Sequence, residues 1–287
     1  MAKYRKILVA YDGSSSSKNA LSLASHLARE DKSWIKVVAV VPAYEGDLEL
    51  TGVGNIKEAI EGPGKKLLAD AMAIAEQEDV HILTDLEQGE PYERIVHVAE
   101  EENCDLIVLG RKGRHPVERE LMGAVTARVI GHTGKDVLVV PENCRQLQWE
   151  RLLLATDGSR FSQQAVHKAI TLAKERQSKL TAITVVYSND EFITLAPETH
   201  NAMVDEAHEV LDTVTELAAA DHVAVEVVVK EGDAPQAITD LAMDQKADMI
   251  IMGSHGRKGL TRLLMGSVTE RVIGFAGCPV LISHLSS

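Results

Sequence analysis

The chain of 287 residues repeats itself, and this repeat constrains its fold more than any other feature. The segment KILVAYDGSSSSKNALSLASHLARE from Lys6 matches RLLLATDGSRFSQQAVHKAITLAKE from Arg151. Near the end of each half, LMGAVTARVIGHTGKDVL from Leu121 matches LMGSVTERVIGFAGCPVL from Leu264. Too many positions coincide in order for these to be unrelated helices, so the chain is a duplication. Each half has the length of an ordinary domain.

The boundary between the halves falls in the polar stretch PENCRQLQWE. Pro141 ends one apolar run there, and the next run begins at Arg151. A polar stretch that follows a proline is typical of a connection between folded elements. We therefore predict one domain over residues 1–146 and a second over residues 147–287.

Short apolar runs alternate with longer amphipathic segments in both halves. Runs such as KILVAY, DLIVLG and DVLVV are apolar at successive positions, as in strands that are covered on both faces. Helices between such strands imply a parallel sheet, and right-handed crossovers make that sheet doubly wound. The predicted fold is α/β, with two tandem doubly wound, Rossmann-like domains that each contain a five-stranded parallel sheet.

The segment after the second apolar run differs between the halves. In the first half it reads PAYEGDLELTGVGNIKEAIEGPGKK, residues 42–66, which is rich in glycine and has Pro63 between two glycines. This composition predicts a mobile loop. The segment SNDEFITLAPETH, residues 188–200 of the second half, has a different composition. We therefore expect that access to any ligand site is controlled differently in the two halves.

Composition and charge argue against several classes of function. A net charge of −13 opposes binding to nucleic acid or to an anionic membrane. The cysteines Cys104, Cys144 and Cys278 have no C-x-x-C spacing, and the histidines form no H-E-x-x-H pattern. No run approaches the roughly 20 apolar residues of a membrane-spanning helix. We expect a soluble cytoplasmic protein without membrane insertion.

Asp12-Gly13-Ser14 and Asp157-Gly158-Ser159 follow the first strand of each half. Ligands of open parallel sheets bind beyond the carboxyl ends of the strands, where a carboxylate can accept hydrogen bonds or hold a metal ion. Asp157 is accordingly a candidate magnesium ligand. A turn followed by a helix N-cap accounts for the same residues equally well. The two interpretations are compatible, because a capped helix start attracts anions.

A glycine-rich pattern follows the fourth strand of the second half. Gly253-Ser254-His255-Gly256 is followed by nine residues and then by Gly266-Ser267, at the start of the helix VTERVIG. Glycines let a backbone approach a phosphate, and the N–H groups of a helix start can donate to it. The nine intervening residues carry basic side chains that favour a polyphosphate, namely Arg257, Lys258 and Arg262.

Turns and one close packing contact would also account for these glycines. Neither the Walker A pattern nor the dinucleotide fingerprint occurs in the sequence. If the glycines instead form a phosphate loop, the hydroxyls of Ser267 and Thr269 could add hydrogen bonds to the phosphate.

An aspartate after the first strand, followed by G-x-x-G, nine residues and G-[ST] after the fourth, resembles the ATP-binding universal stress proteins. The resemblance covers both halves nearly end to end. It implies an adenine nucleotide alpha hydrolase-like fold and an adenine nucleotide such as ATP, with magnesium. The base would lie near the first two strand ends and the phosphates in the glycine loop. The site residues implied are Thr156, Asp157, Val185, Gly253, His255, Gly256, Arg257, Gly266, Ser267, Val268 and Thr269.

The first half departs from this pattern. Its loop reads Gly110-Arg-Lys-Gly113, nine residues and Gly123-Ala124, so a methyl group stands where the pattern has a hydroxyl. Glu118 and Glu120 in the intervening segment oppose a polyphosphate, although neighbouring basic residues can compensate. We therefore expect nucleotide chiefly in the second half. The corresponding first-half residues are Asp12, Val40, Gly110, Gly113, Gly123, Ala124, Val125 and Thr126.

Three functions are compatible with these residues. A regulator or sensor that binds ATP is the one that the resemblance favours. A slow ATPase or phosphotransferase needs a positioned base or nucleophile, and Asp157 and His255 are candidates without a clear division of roles. A scaffold with vestigial nucleotide sites would act through its association surfaces. In that family the last strands of paired domains meet, so we expect DVLVV and CPVLIS to contact each other and the two domains to form an internal pseudo-dimer. Whether two chains also form a homodimer stays open.

Overall fold

The computed structural model describes residues 4–43, 56–113, 122–144, 147–256 and 265–284. The chain forms two compact units, which comprise Lys3–Gln146 and Leu147–Ser287. Both units alternate strands and helices in the same order. The predicted α/β class and the tandem arrangement of two similar domains are therefore confirmed.

The first unit contains a parallel sheet of five strands. Its elements are β1 (Lys6–Ala10), α1 (Ser15–Asp31), β2 (Trp34–Val41), α2 (Ile56–Gln77), β3 (Ile82–Gln88), α3 (Pro91–Glu101), β4 (Leu106–Gly110), α4 (Ala124–His132) and β5 (Asp136–Val140). The strand order is β3-β2-β1-β4-β5. Val9 of β1 lies opposite Val37 of β2 and Val108 of β4.

The second unit repeats this topology. Its elements are β6 (Arg151–Ala155), α5 (Arg160–Arg176), β7 (Lys179–Val186), α6 (Asp190–Leu195), α7 (Pro197–Ala220), β8 (Val225–Glu231), α8 (Ala234–Asp244), β9 (Met249–Gly253), α9 (Ser267–Phe275) and β10 (Val280–Ser283). The strand order is β8-β7-β6-β9-β10, again all parallel. In both sheets strands are added on one side of the first strand and then on its other side. This change of side leaves a crevice at the carboxyl ends of the strands.

The cores are aliphatic. Leu8 and Val9 of β1 and Leu153 and Leu154 of β6 are fully buried, because helices cover both faces of these central strands. The edge strands β3 and β8 are partly exposed and carry charged residues along their length. Among the helices of the described ranges, none is both long and apolar enough to cross a bilayer.

The turn before the first helix has the same geometry in both units. Gly13 has φ +78° and Gly158 has φ +73°, a region in which a side chain is strained. The Ser14 side chain then accepts the N–H of Ser17, and Ser159 accepts that of Ser162. The predicted turn and helix N-cap are confirmed.

The predicted mobile loop at residues 42–66 is wrong over its second part. Helix α2 begins at Ile56 and contains Pro63. Gly64 is buried, and a β-carbon there would stand 2.7 Å from Cγ1 of Val41 while also clashing with Leu86. Gly64 therefore permits close packing of the helix on the sheet, rather than flexibility. Residues 44–55 lie outside the described residues.

One carboxylate ties two strands together at the amino end of each sheet. Asp105 Oδ2 accepts the backbone N–H groups of Arg5 and Lys6 at 2.7 and 3.0 Å. In the second unit, Asp248 Oδ2 accepts those of Glu150 and Arg151, both at 2.8 Å. These bonds fix where β1 and β6 begin beside β4 and β9.

Candidate functional site

The second unit has a cavity of about 830 Å³ at the carboxyl ends of β6, β7 and β9. Helix α7 and the first turns of α8 and α9 complete its walls. Residues 257–264, which include Arg257, lie outside the described residues. The other residues that the resemblance implied all line this one cavity, namely Thr156, Asp157, Val185, Gly253, His255, Gly256, Gly266, Ser267, Val268 and Thr269.

The turn after β6 holds the carboxylate of Asp157 in the cavity wall. Its Oδ1 accepts the N–H of Ser159 at 3.0 Å. Its Oδ2 lies beside Gly256, where an added β-carbon would stand only 2.8 Å away. The carboxylate therefore has one oxygen bound to its own turn and the other against the glycine loop.

The amino end of α9 opens toward the cavity. Gly266 is the N-cap and supplies no side-chain hydrogen bond, while its own N–H donates to Ser254 O at 3.0 Å. The N–H groups of Ser267, Val268 and Thr269 precede the first hydrogen bond of the helix ladder, in which Glu270 N donates to Gly266 O, so they have no partner within the helix. They form the positive end of the helix dipole, which suits an anion.

Thr269 has a structural role that the sequence did not indicate. Its hydroxyl donates to Gly253 O at 3.1 Å, and the residue is only 2% exposed. This bond ties the first turn of α9 to the end of β9. The hydroxyl proton that was expected to serve a phosphate is therefore used within the protein.

Buried polar contacts fix the strand ends and His255. Thr156 Oγ1 donates to Ser162 Oγ at 3.0 Å, and Thr184 Oγ1 donates to Thr156 O at 2.9 Å. The His255 ring lies 5.3 Å from that of Phe161, and its Nδ1 is 3.0 Å from Ser254 Oγ. The cavity wall is thus held rigidly where β6 and β9 end.

Sequence similarity relates this chain to proteins that are already known. The model of the universal stress protein family matches residues 3–141 and again residues 148–284. The chain belongs to the universal stress protein family. A universal stress protein of Methanocaldococcus jannaschii is 37% identical over 139 residues, which cover 47% of this chain and 81% of that protein. One from Mycobacterium bovis is 26% identical over 309 residues and covers 97% of this chain and 95% of its own length.

A solved structure supports the tandem fold of this universal stress protein. The crystal structure of a universal stress protein from Archaeoglobus fulgidus has a TM-score of 0.74 at 20% identity. It covers 98% of this chain and 97% of that one. This likeness extends over both units and concerns the fold alone.

Sequence reasoning missed the wall that α7 and α8 contribute. Met203 and Ala207 of α7 and Pro235 and Ile238 of α8 form an apolar side of the cavity. The only signal for them is the apolar periodicity of two helices, which also describes ordinary core residues. Helix α7 begins within the segment in which the two halves differ, so the repeat did not help to locate its residues.

An ion pair joins the two helices that frame this universal stress protein's cavity. Arg271 of α9 donates to both oxygens of Asp233, each at 2.9 Å, and Asp233 is also the N-cap of α8. These hydrogen bonds lower the pKa of Asp233. Both side chains are nearly half exposed, so the pair contributes little stability and mainly fixes geometry.

The first unit repeats two contacts of the second among its predicted residues. Asp12 Oδ1 accepts the N–H of Ser14 at 3.0 Å, and a β-carbon on Gly113 would stand 2.9 Å from Asp12 Oδ2. Thr126 donates to Gly110 O at 3.0 Å. The remaining residues predicted there lie at the N-cap of α4, in its first turn and in β2, namely Gly123, Ala124, Val125 and Val40.

In the first unit, helix α2 packs against the turn that follows β1. Leu67 of α2 lies against Gly13, where a β-carbon would stand 2.7 Å from Cδ2 of Leu67. The Tyr11 hydroxyl donates to Asp70 of the same helix, and Lys18 pairs with Asp70 at 3.1 Å. Helix α2 is therefore attached to the turn after β1 by both apolar and polar contacts.

Proposed function

We propose that this universal stress protein is an ATP-binding regulator or sensor of the stress response that holds the nucleotide chiefly in its second unit. One observation carries the proposal. A single cavity combines the Asp157 carboxylate, the backbone at Gly253 and Gly256, the open amino end of α9 and an apolar wall. A nucleotide has this distribution of chemistry, with a flat base at one end and anionic phosphates at the other.

The apolar wall suits the base. Val185, Met203, Ala207 and Ile238 line the cavity on the side of β7, α7 and α8. Small-molecule sites are mostly apolar with a few placed polar groups, and a planar base buries well against aliphatic side chains. We assign this side to the adenine.

The amino end of α9 suits the phosphates. Its N–H groups, the Ser267 hydroxyl and the glycine backbone can all donate to phosphate oxygens. Asp157 fits a magnesium ion that also binds phosphate, since magnesium commonly takes one or two carboxylates together with phosphate oxygens. In the described ranges no three His, Cys, Asp or Glu side chains form a metal cluster, so Asp157 would be the main protein ligand. Bound magnesium would offset phosphate charge.

Two features of the first unit support a preference for the second. Ala124 offers no hydroxyl at the position that Ser267 occupies. Gly64 lets α2 pack closely on Val41, and Leu67 of the same helix lies against Gly13 in the turn after β1. We expect weaker binding, or none, in the first unit.

Hydrolysis is the second candidate, because Asp157 and His255 line the same cavity. Asp157 already accepts a backbone hydrogen bond, and we assign no nucleophile. A steady release of phosphate that Asp157→Asn abolishes would establish this activity in place of simple binding.

Calorimetric titration of the nucleotide-stripped full chain with ATP and magnesium tests the proposal. Gly266→Asp and Gly123→Asp are matched variants, because each residue is the glycine N-cap of a helix. Aspartate is a favourable N-cap, so neither change should harm folding. Its carboxylate would occupy the phosphate position and repel the ligand.

We expect about one equivalent of ATP for the wild type, with binding lost only in Gly266→Asp. Two equivalents, or loss only in Gly123→Asp, would contradict the preference for the second unit. Absence of binding in all three proteins would favour the scaffold function instead.

A further inference from the structure

Three elements of the second unit meet at the side chain of Glu231. His200 Nε2 lies 3.0 Å from Glu231 Oε2, and Ser188 Oγ donates to the same oxygen at 3.3 Å. The His200 side chain is only 10% exposed, whereas that of Glu231 is 47% exposed. A buried imidazole therefore reaches a carboxylate at the surface.

The three segments that meet at Glu231 also contribute residues to the cavity wall. His200 lies in the first turn of α7, and Met203 and Ala207 of the next turns line the cavity. Ser188 directly follows Tyr187, which lines the cavity. Glu231 is the last residue of β8 and lies two residues before Asp233, which also lines the cavity. One cluster outside the cavity thus joins three segments that form its wall.

The start of α7 has no side-chain cap, although Pro197 and the acidic Glu198 in its first turn are favourable for a helix start. Its N-cap residue, Ala196, makes no side-chain hydrogen bond. Glu231 in contrast lies on a fixed strand end, because the N–H of Gly232 donates to Val186 O at 2.9 Å. The bond from His200 therefore ties an uncapped helix start to the rigid sheet.

The first unit lacks this carboxylate. Gln88 pairs with Val41 as Glu231 pairs with Val186, so the two residues occupy the same register position. The Gln88 amide instead donates to Glu61 at 3.4 Å. At this register position the first unit therefore has an amide in place of the Glu231 carboxylate.

We propose that His200 and Glu231 are a positioning pair that holds the first turns of α7 as the outer wall of the cavity. By ordering this wall before a ligand arrives, the pair raises the affinity for the base-bearing part of a nucleotide. The effect on affinity rests on the proposed function. His200 acts through Met203 and Ala207 and not by contact with phosphate.

Binding of adenosine and of ATP to the full chain tests this role. We expect His200→Leu to weaken both ligands by about fivefold, since a charge-assisted hydrogen bond is lost at a half-exposed carboxylate. His200→Gln keeps a donor and should restore most of the affinity. His208→Leu, an exposed change on the same helix, should leave it unchanged. The double variant His200→Leu/Glu231→Leu should be no worse than the worse single variant.

Amide hydrogen exchange of the ligand-free protein supplies a readout that needs no nucleotide. His200→Leu should speed exchange in residues 201–207 and leave α8 unchanged, because opening is local. Unchanged exchange there, unchanged affinity in a chain that binds ATP, or fully additive single variants would each overturn the proposal. If the wild type binds neither ligand, the proposed function fails, and the exchange result alone decides whether the pair orders α7.

Discussion

The Asp157 carboxylate and Gly256 are in such close contact that a β-carbon at position 256 would stand 2.8 Å from Oδ2 of Asp157. Asp12 and Gly113 have the same relationship at 2.9 Å. The second glycine of the G-x-x-G pattern is therefore required by a neighbouring carboxylate as well as by any ligand. Both units need it for the same steric reason.

Gly256→Ala should displace the Asp157 carboxylate and weaken ATP binding by about tenfold or more, because a rigid site tolerates little misplacement. Titration calorimetry with ATP and magnesium measures this loss. Gly113→Ala makes the same clash in the first unit and is the matched control. Equal losses in both variants would mean that nucleotide is not held chiefly in the second unit.

Thr269→Val should lower the free energy of unfolding by about 1 kcal/mol, since it removes the hydrogen bond to Gly253 O and leaves that carbonyl without this donor. Thr126→Val is the matched variant in the first unit and should behave similarly. Urea unfolding measures both. A variant of unchanged stability that no longer binds ATP would show that the Thr269 hydroxyl serves the ligand after all.

The stabilisation that the hydrogen bond between Tyr11 and Asp70 provides should decrease at acid pH. The hydrogen bond from Tyr11, followed by the contribution of Lys18, lowers the pKa of Asp70. Because the folded pKa is the lower one, the stabilisation is present above the unfolded value of about 4 and is lost as pH falls through the folded pKa.

Tyr11→Phe should therefore cost up to about 1 kcal/mol of unfolding free energy at pH 7, a small value because Asp70 is partly exposed. The difference from the wild type should shrink toward pH 3. Urea unfolding across this pH range provides the measurement, with Tyr187→Phe as a control at an exposed tyrosine. A difference that stays constant with pH would rule out this linkage.

Burial raises the pKa of the Cys104 thiol to about 11. At pH 8 the thiolate fraction is then about two orders of magnitude below that of a free cysteine, and access is also blocked. We expect iodoacetamide to modify the partly exposed Cys144 and Cys278 well before Cys104 in the folded protein. Peptide mass spectrometry distinguishes the three, and rapid labelling of Cys104 under native conditions would contradict its burial.

The fold was predictable because its main signals are local and occur twice. Apolar runs identify β1 and β6, and Ser14 and Ser159 identify the starts of the helices that follow. The edge strand β3 gives a weaker signal, since its sequence ILTDLEQ mixes apolar and acidic residues at half-exposed positions. Helix α2 was missed because Pro63 and its glycines resemble a loop, whereas Gly64 is required by a contact with Val41 that only the folded chain reveals.

The site was predictable where it depends on motifs and not where it depends on packing. Asp157 and the glycines stand out in the sequence because their residue types and spacing are unusual. Met203 and Ile238 look like ordinary core residues, and Thr269 looks like a ligand donor although its hydroxyl bonds to Gly253. Nothing in the sequence pairs Asp233 with Arg271, because that contact joins two helices that are adjacent only in space.

The hydrogen bonds of Asp105 and Asp248 lie away from the carboxyl end of each sheet, so strand pairing and ligand binding depend on different residues. They join strands at the amino end of the sheet, whereas the cavity lies at the carboxyl end. Substitutions that reshape ligand specificity thus leave these strand anchors untouched. The two copies differ in a loop hydroxyl, Ser267 against Ala124, while both keep the same strand order. Such a chain can evolve new recognition in one half without surrendering the fold of either.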